Sequence, residues 1–176
     1  MTTAPSTGSL QYSDRYAAIS QRLLRQAQEE LDADDLIQAS EKAWGAAAHA
    51  IKSVAEKWGW YHQGHYRLNA VVHYIVSDRG LEDLLNWYNT VSVLHFNYYE
   101  HELGADLVQS SINAATSFVG EMEKIRAENP PVLPRHEDLL PDQSRRLRLL
   151  FTRPRDYKGR VDDISLLPPV EPPETR

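Results

Sequence analysis

This chain of 176 residues predicts an all-α fold, an up-and-down bundle of four to five helices with an irregular proline-rich C-terminal tail. Three observations carry that prediction. From about residue 15 to residue 127, apolar residues recur at intervals of three and four, the period of a helix with one buried face. The segments with that period run 13–23 residues and are separated by short polar or glycine-containing breaks, which favours antiparallel neighbours. Nine of the ten prolines fall in residues 129–176, where they bar a continuing helix and favour extended chain.

Residues 1–12 are small and polar and predict a flexible start, with Ser13 or Asp14 capping a first helix that runs to about Leu31. Its inner side carries Ala17, Ile19, Leu23, Leu24, Ala27 and Leu31. Asp32-Ala33-Asp34-Asp35 makes a turn, and Asp34 or Asp35 caps the second helix, which ends near Gly59. This helix carries the strongest signal. Ala39, Ala43, Ala46, Ala47, Ala50 and Val54 form a small-residue stripe, and Trp44, Ile51 and Trp58 form a bulky edge beside it. Alanine on a buried face lets a neighbouring helix approach closely, so this is the expected central helix. Trp60 and Tyr61, in the turn that follows, are the expected exposed aromatic patch. A third helix is expected from His65 to Ser77; Val71, Val72 and Val76 would also suit a strand, but the chain offers no partner strand. A fourth covers about Leu81 to Tyr99. A fifth covers Ala105 to about Ala127, with Leu107, Ser111, Phe118, Met122 and Ile125 inward. Gln143–Phe151 can make a two-turn basic helix, which needs a surface to lie on. The domain reading is a flexible N-terminus (1–14), a bundle (15–128) and an extension (129–176).

There is no cysteine, which excludes disulfides, thiolate metal sites and cysteine nucleophiles. No apolar run reaches the roughly 18 residues of a membrane span, and residues 1–9 lack the basic start and apolar stretch of a secretory signal. A cytoplasmic protein without membrane contact is the expectation. The net charge of -6 is uneven: residues 1–128 hold 10 basic and 17 acidic residues, residues 129–176 hold 9 and 8. Arg145–Arg160 carries seven cations against Asp156 alone, a patch suited to a phosphate backbone or an acidic protein surface, or to plain solvation.

The run Leu36-Ile37-Gln38-Ala39-Ser40-Glu41-Lys42-Ala43-Trp44-Gly45-Ala46-Ala47, following a helix and an acidic turn, resembles the PaREP1 family of small helical proteins. Leu94-His95-Phe96-Asn97-Tyr98-Tyr99-Glu100 matches a second signature of that family, and the likeness spans about residues 15–126. PaREP1 proteins are similar in turn to the HEPN superfamily of nucleotide-associated helical bundles. The resemblance implies an HEPN-like bundle that dimerises. It also implies nucleotide or RNA binding, RNA cleavage, or partnership with a nucleotidyltransferase in a toxin–antitoxin pair. HEPN ribonucleases use an arginine four to six residues before a histidine; before His95, Asn89, Thr90 and Val91 stand there instead.

Five groups are candidates for chemistry. Arg67 and His73 have the spacing of that ribonuclease pair and could set a guanidinium on a phosphate and an imidazole as acid or base, although six residues place them on different sides of a helix. His95, Asn97, Tyr98 and Tyr99 could hydrogen-bond or stack a base, or could serve the bundle core. Lys42 and His49 lie two turns apart and share a face. Arg145, Arg146 and Arg148, with Arg153, Arg155, Lys158 and Arg160, are the cations of the extension. The seven histidines include no Glu-x-x-His and no His-Glu-x-x-His; His62, His65 and His101 find no further ligand, so neither metal nor cofactor is expected.

The sequence reading is therefore a binding module for nucleotide, RNA or a protein partner. A metal-independent ribonuclease and a homo-oligomeric assembly protein are the alternatives.

Overall fold

The computed structural model describes residues 7–100, 102–132 and 138–152, with side chains from Leu10 onward except those of Tyr98 and Tyr99. It contains α1 (Thr7–Asp32), α2 (Leu36–Trp58), α3 (His65–Arg79), α4 (Glu82–Glu100), α5 (Ala105–Ala127) and α6 (Pro141–Phe151). No strand occurs among the described residues. The valine-rich third segment is helical.

The alanine stripe explains the architecture. α2 packs against α1, α5, α4 and α3, and is the hub of the bundle. Ala39, Ala43, Ala46, Ala47, Ile51 and Val54 are wholly buried. α1 can come close because it answers with small residues of its own. Ser20 Oγ donates to Ala46 O at 2.7 Å, and Ser13 Oγ donates to Ser53 O at 2.7 Å. A serine can reach a carbonyl on the facing helix only where no larger side chain holds the backbones apart. The two bonds share one antiparallel register, which brings Ala27 level with Ala39; both are fully buried.

Local signals set the breaks. Asp35 accepts from the Gln38 N–H at 3.0 Å and caps α2. Asp34 takes the left-handed conformation (φ 64°) that ends α1, a geometry that aspartate tolerates. Gly59 (φ 74°) and Gly80 (φ 66°) end α2 and α3 in the same left-handed way.

Four sequence expectations need correction. α1 begins at Thr7, within the stretch expected to be flexible, and Ser13 is a buried inter-helix donor rather than a cap. Leu107 is exposed and the neighbouring Val108 takes the inward place. Trp60 is buried rather than exposed, edge-on to Trp58 at 5.0 Å, Tyr74 at 5.4 Å and Phe151 at 6.2 Å. The short basic helix foreseen at Gln143–Phe151 is present as α6. Pro141 starts α6 at a first-turn position, where proline loses no hydrogen bond, and the Gln143 side chain accepts from the Leu140 N–H at 3.0 Å. This short helix lies on α3, the surface it needs to persist. It buries Leu150 fully and lays Phe151 against Trp60. The fold is thus a bundle of α1, α2, α4 and α5 with α3 and α6 as a pair at its side.

Candidate functional site

Between α3 and α6 lies a cleft of about 410 Å³. One wall is the outer face of α3, where His73, Tyr74, Ser77 and Asp78 recur at helical spacing. The other wall is Val132, Asp138 and Leu139 of the connecting chain with Gln143 and Arg146 of α6, three residues apart on one face. The volume lies in the range of small-molecule sites.

The cleft's electrostatics are mixed. Burial, then the nearby charge of Arg146, holds the His73 imidazole below its ordinary 6.5, so it is neutral at neutral pH. Burial, then the Asp78 carboxylate, pushes the Tyr74 phenol above its ordinary value, so it stays a protonated donor. The Tyr74 hydroxyl is buried and makes no hydrogen bond. Buried polar atoms are rarely left so, and one that lines a cleft can be satisfied by what enters it. One guanidinium, two carboxylates (Asp78, Asp138), a neutral imidazole, a phenol, a hydroxyl and an amide therefore converge. A second hollow of about 470 Å³ sits at the α1–α2 turn, lined by Asp34, Asp35, Asn97 and apolar neighbours. It has no cation or imidazole in its lining.

The structure separates the sequence-chosen pair. His73 lines the cleft, but Arg67 does not reach it. Arg67 is 3% exposed and turns to the end of α6: Nε donates to Leu149 O at 3.2 Å and Nη2 to Thr152 O at 3.2 Å. Its remaining bonds go to Gln63 O at 3.4 Å and to the Tyr66 hydroxyl. The arginine that does stand with His73 is Arg146, which the sequence marked as part of a basic patch without placing it. Arg145 and Arg148 are exposed on α6; Arg153, Arg155, Lys158 and Arg160 lie outside the described residues.

The other candidates go elsewhere. Asn97 is buried, with Nδ2 donating to Ser40 Oγ at 2.9 Å and Oδ1 accepting from the Leu103 N–H at 2.8 Å, so its amide is engaged within the bundle. His95 stands in an aromatic cluster, 5.2 Å from Trp44 and 4.7 Å from His65 between ring centroids. Burial, then the nearby His65, lowers its pKa. The side chains of Tyr98 and Tyr99 lie outside the described set, as does His101. His49 Nδ1 donates to Gly45 O one turn back at 2.7 Å and faces the Tyr16 ring at 5.8 Å; Lys42 is half-buried, and neither lines the cleft. His62 pairs with Glu56 at 2.9 Å in a buried contact. Among the described residues no three His, Asp or Glu gather as metal ligands, and no helix is long and apolar enough to cross a membrane.

Sequence reasoning missed Tyr74, Ser77, Asp78, Asp138 and Gln143. For Tyr74, Ser77 and Asp78 the signal was the polar stripe on the outer side of α3, which reads as a solvated face until α6 is known to cover it; Asp138 and Gln143 carried no such signal.

The lowered pKa values of His73 and His95 make a prediction. Both imidazoles are harder to protonate folded than unfolded, so the unfolded chain binds more protons once pH falls below about 6.5. Their stabilising contribution is complete above that value and is lost as pH falls towards the folded-state values. Thermal melts between about pH 7.5 and 5.5 should show a modest decline in midpoint, because both groups are partly solvated. The decline should flatten in a His73→Gln/His95→Gln double variant. An equal slope in both proteins would show that other groups control it.

The profile of the archaeal PaREP1/PaREP8 family matches residues 15–119. The chain belongs to the archaeal PaREP1/PaREP8 family. The matched span takes in most of α1, all of α2, α3 and α4 and most of α5, including the His73 wall of the cleft. It ends before α6, so the Arg146 wall comes from chain beyond the matched residues. No curated protein and no solved structure matches the chain.

Proposed function

We propose that the protein is a ribonucleotide-binding module, taking a free nucleotide or one nucleotide of an RNA in the α3–α6 cleft. The observation that carries this is Arg146 and the neutral His73 lining one cleft from two different elements. A guanidinium suits a phosphate, to which it can donate two parallel hydrogen bonds. Asp78 and Asp138 can accept from ribose hydroxyls or base N–H groups, and the unpartnered Tyr74 hydroxyl can donate to a base or phosphate oxygen. Two carboxylates against one guanidinium disfavour a polyphosphate, so a monophosphate is the better match. The dimer and the protein partner that the family resemblance implied remain proposals; Val93 and Phe96 on α4 are exposed apolar residues that a second subunit could cover.

Calorimetric titration of the full chain with the four ribonucleoside 5′-monophosphates and a short single-stranded RNA tests the reading. His73→Ala and Arg146→Ala should each weaken binding at least about tenfold, the scale of one charge-assisted hydrogen bond. No binding by the wild type, or affinity unchanged in both variants, would sink it. Binding through the wider arginine patch would instead decline steeply with salt, by about 0.7 in the log–log slope per phosphate contacted on a single strand.

Catalysis is a second reading, favoured by the one fact that His73 is held neutral and so can act as a base. It predicts RNA cleavage in the presence of chelator, abolished by His73→Ala; intact RNA with pure protein rejects it.

A further inference from the structure

We infer that Arg67 is a positioning residue for the cleft: by clasping the C-terminal end of α6 it keeps Arg146 opposite His73. This rests on the reading of the cleft as the ligand site, and it assigns a role to a buried cation that lining alone does not explain.

The burial of Arg67 needs an account. A guanidinium taken out of water requires compensation, and among the described residues no carboxylate bonds it. The compensation comes from α6. The last carbonyls of a helix lack intrahelical donors and carry the negative end of its dipole, so a cation placed there satisfies both needs at once. Leu149 O is such a carbonyl and Thr152 O belongs to the residue capping the helix, and Arg67 bridges them with two different nitrogens. Tyr61 contributes a backbone N–H to Leu150 O at 2.8 Å beside them. Arginine and helix therefore stabilise each other: without α6 the guanidinium keeps only the Gln63 carbonyl and the Tyr66 hydroxyl, and without the guanidinium two carbonyls at the end of α6 lose their donor.

The anchor matters because the helix is short. α6 has 11 residues; it buries Ser144 and Leu150 and packs Leu147 and Leu149 partly against the core. Such a helix does not persist alone in water. Its principal helix contact is α3. The clasp grips the C-terminal turn, whereas Gln143 and Arg146, which line the cleft, lie in the preceding turns. A rigid rod held at one end sets the position of side chains nearer the other. Arg67 and His73 then serve the same cleft from one helix: His73 forms a wall and Arg67 fastens the wall opposite.

Hydrogen exchange of the ligand-free full chain is the direct test, comparing wild type, Arg67→Gln and Arg67→Lys. Amides of residues 145–151 should exchange at least about tenfold faster in Arg67→Gln, while amides of α2 and α5 keep their protection. Arg67→Lys should fall between, because one ammonium cannot span both carbonyls as a planar fork does. The His73 titration followed by NMR supplies a readout that a purely structural arginine elsewhere would not move. Asp78, Asp138 and Tyr74 line the cleft with that imidazole, Arg146 acts on it directly, and release of α6 removes Arg146 and the cover together. The midpoint should then rise towards the ordinary histidine value. Binding of adenosine 5′-monophosphate should weaken in step. If Arg67→Gln does not fold, Leu150→Ala loosens the helix from its own side and carries the same readouts. Unchanged α6 exchange or an unmoved His73 midpoint overturns the clasp. Intact nucleotide affinity with α6 released overturns the coupling. If wild type binds no nucleotide, the ribonucleotide reading fails, while exchange and titration still decide the clasp.

Discussion

Replacing Ala46 by leucine will cost about 2–6 kcal/mol of folding stability, the largest effect expected from any single conservative apolar change in this chain. Ala46 is wholly buried where α1 crosses α2, and its carbonyl accepts the Ser20 hydroxyl at 2.7 Å. Three added carbons have no space to enter. The helices must separate, which costs about 1–3 kcal/mol in overpacking. Separation also pulls Ser20 from its acceptor, and a buried hydroxyl left unsatisfied costs a further 1–3 kcal/mol or so. For a chain of this size each kcal/mol lowers the melting midpoint by roughly 2–4 °C, so a fall on the order of 10 °C is expected in a circular-dichroism melt. Ala105→Leu, at the exposed start of α5, should stay within about 0.5 kcal/mol of wild type. An Ala46→Leu protein that melts with wild type would mean that the α1–α2 seam is looser than its serine bonds imply.

The second large effect concerns Asn97, a residue that its sequence context offers equally as a base reader and as a core polar group. Its amide joins three parts of the fold: α4, which carries it; α2, through Ser40; and the chain entering α5, through the Leu103 N–H. Asn97→Ala removes an acceptor from the Leu103 N–H and a donor from Ser40 Oγ, and leaves a small void. Ser40 keeps its own bond to Leu36 O, so Leu103 bears most of the loss. The expected cost is about 2–4 kcal/mol, measured by urea unfolding. Nucleotide affinity at the α3–α6 cleft should be unchanged, since Asn97 does not line it. A stable Asn97→Ala protein with lost affinity would reverse the assignment and move the ligand to the far end of α4.

The helices were legible because their information is local. The three-and-four spacing of Ala39, Ala43, Ala46, Ala47 and Ala50 needs only the geometry of one helix to be read, and the structure buries all five. Asp35, Gly59 and Gly80 announce their breaks through their own backbone and side-chain chemistry. The errors arose where a neighbour distant in sequence decides the outcome. Trp60 looked exposed because it sits in a turn; Tyr74 and Phe151 cover it. Leu107 and Val108 are adjacent, and a small rotation of α5 chooses which is buried. Among the candidate residues, His73 was found for its spacing from Arg67, a spacing that has no geometric meaning here. Its true companion is 73 positions further along the chain, on a short helix whose docking surface the sequence does not reveal.

By itself, then, the chain determined an all-helical bundle centred on an alanine-lined helix, together with the family it belongs to, because helical period, capping and small-residue packing are written within a turn or two of each residue. Only the tertiary structure decided that α6 docks on α3, that Arg67 faces the carbonyls of Leu149 and Thr152, and that His73 meets Arg146 across a cleft. Docking of a short helix depends on the summed fit of a distant surface and on where a buried charge finds its acceptors. Neither quantity has a period that can be read along the chain.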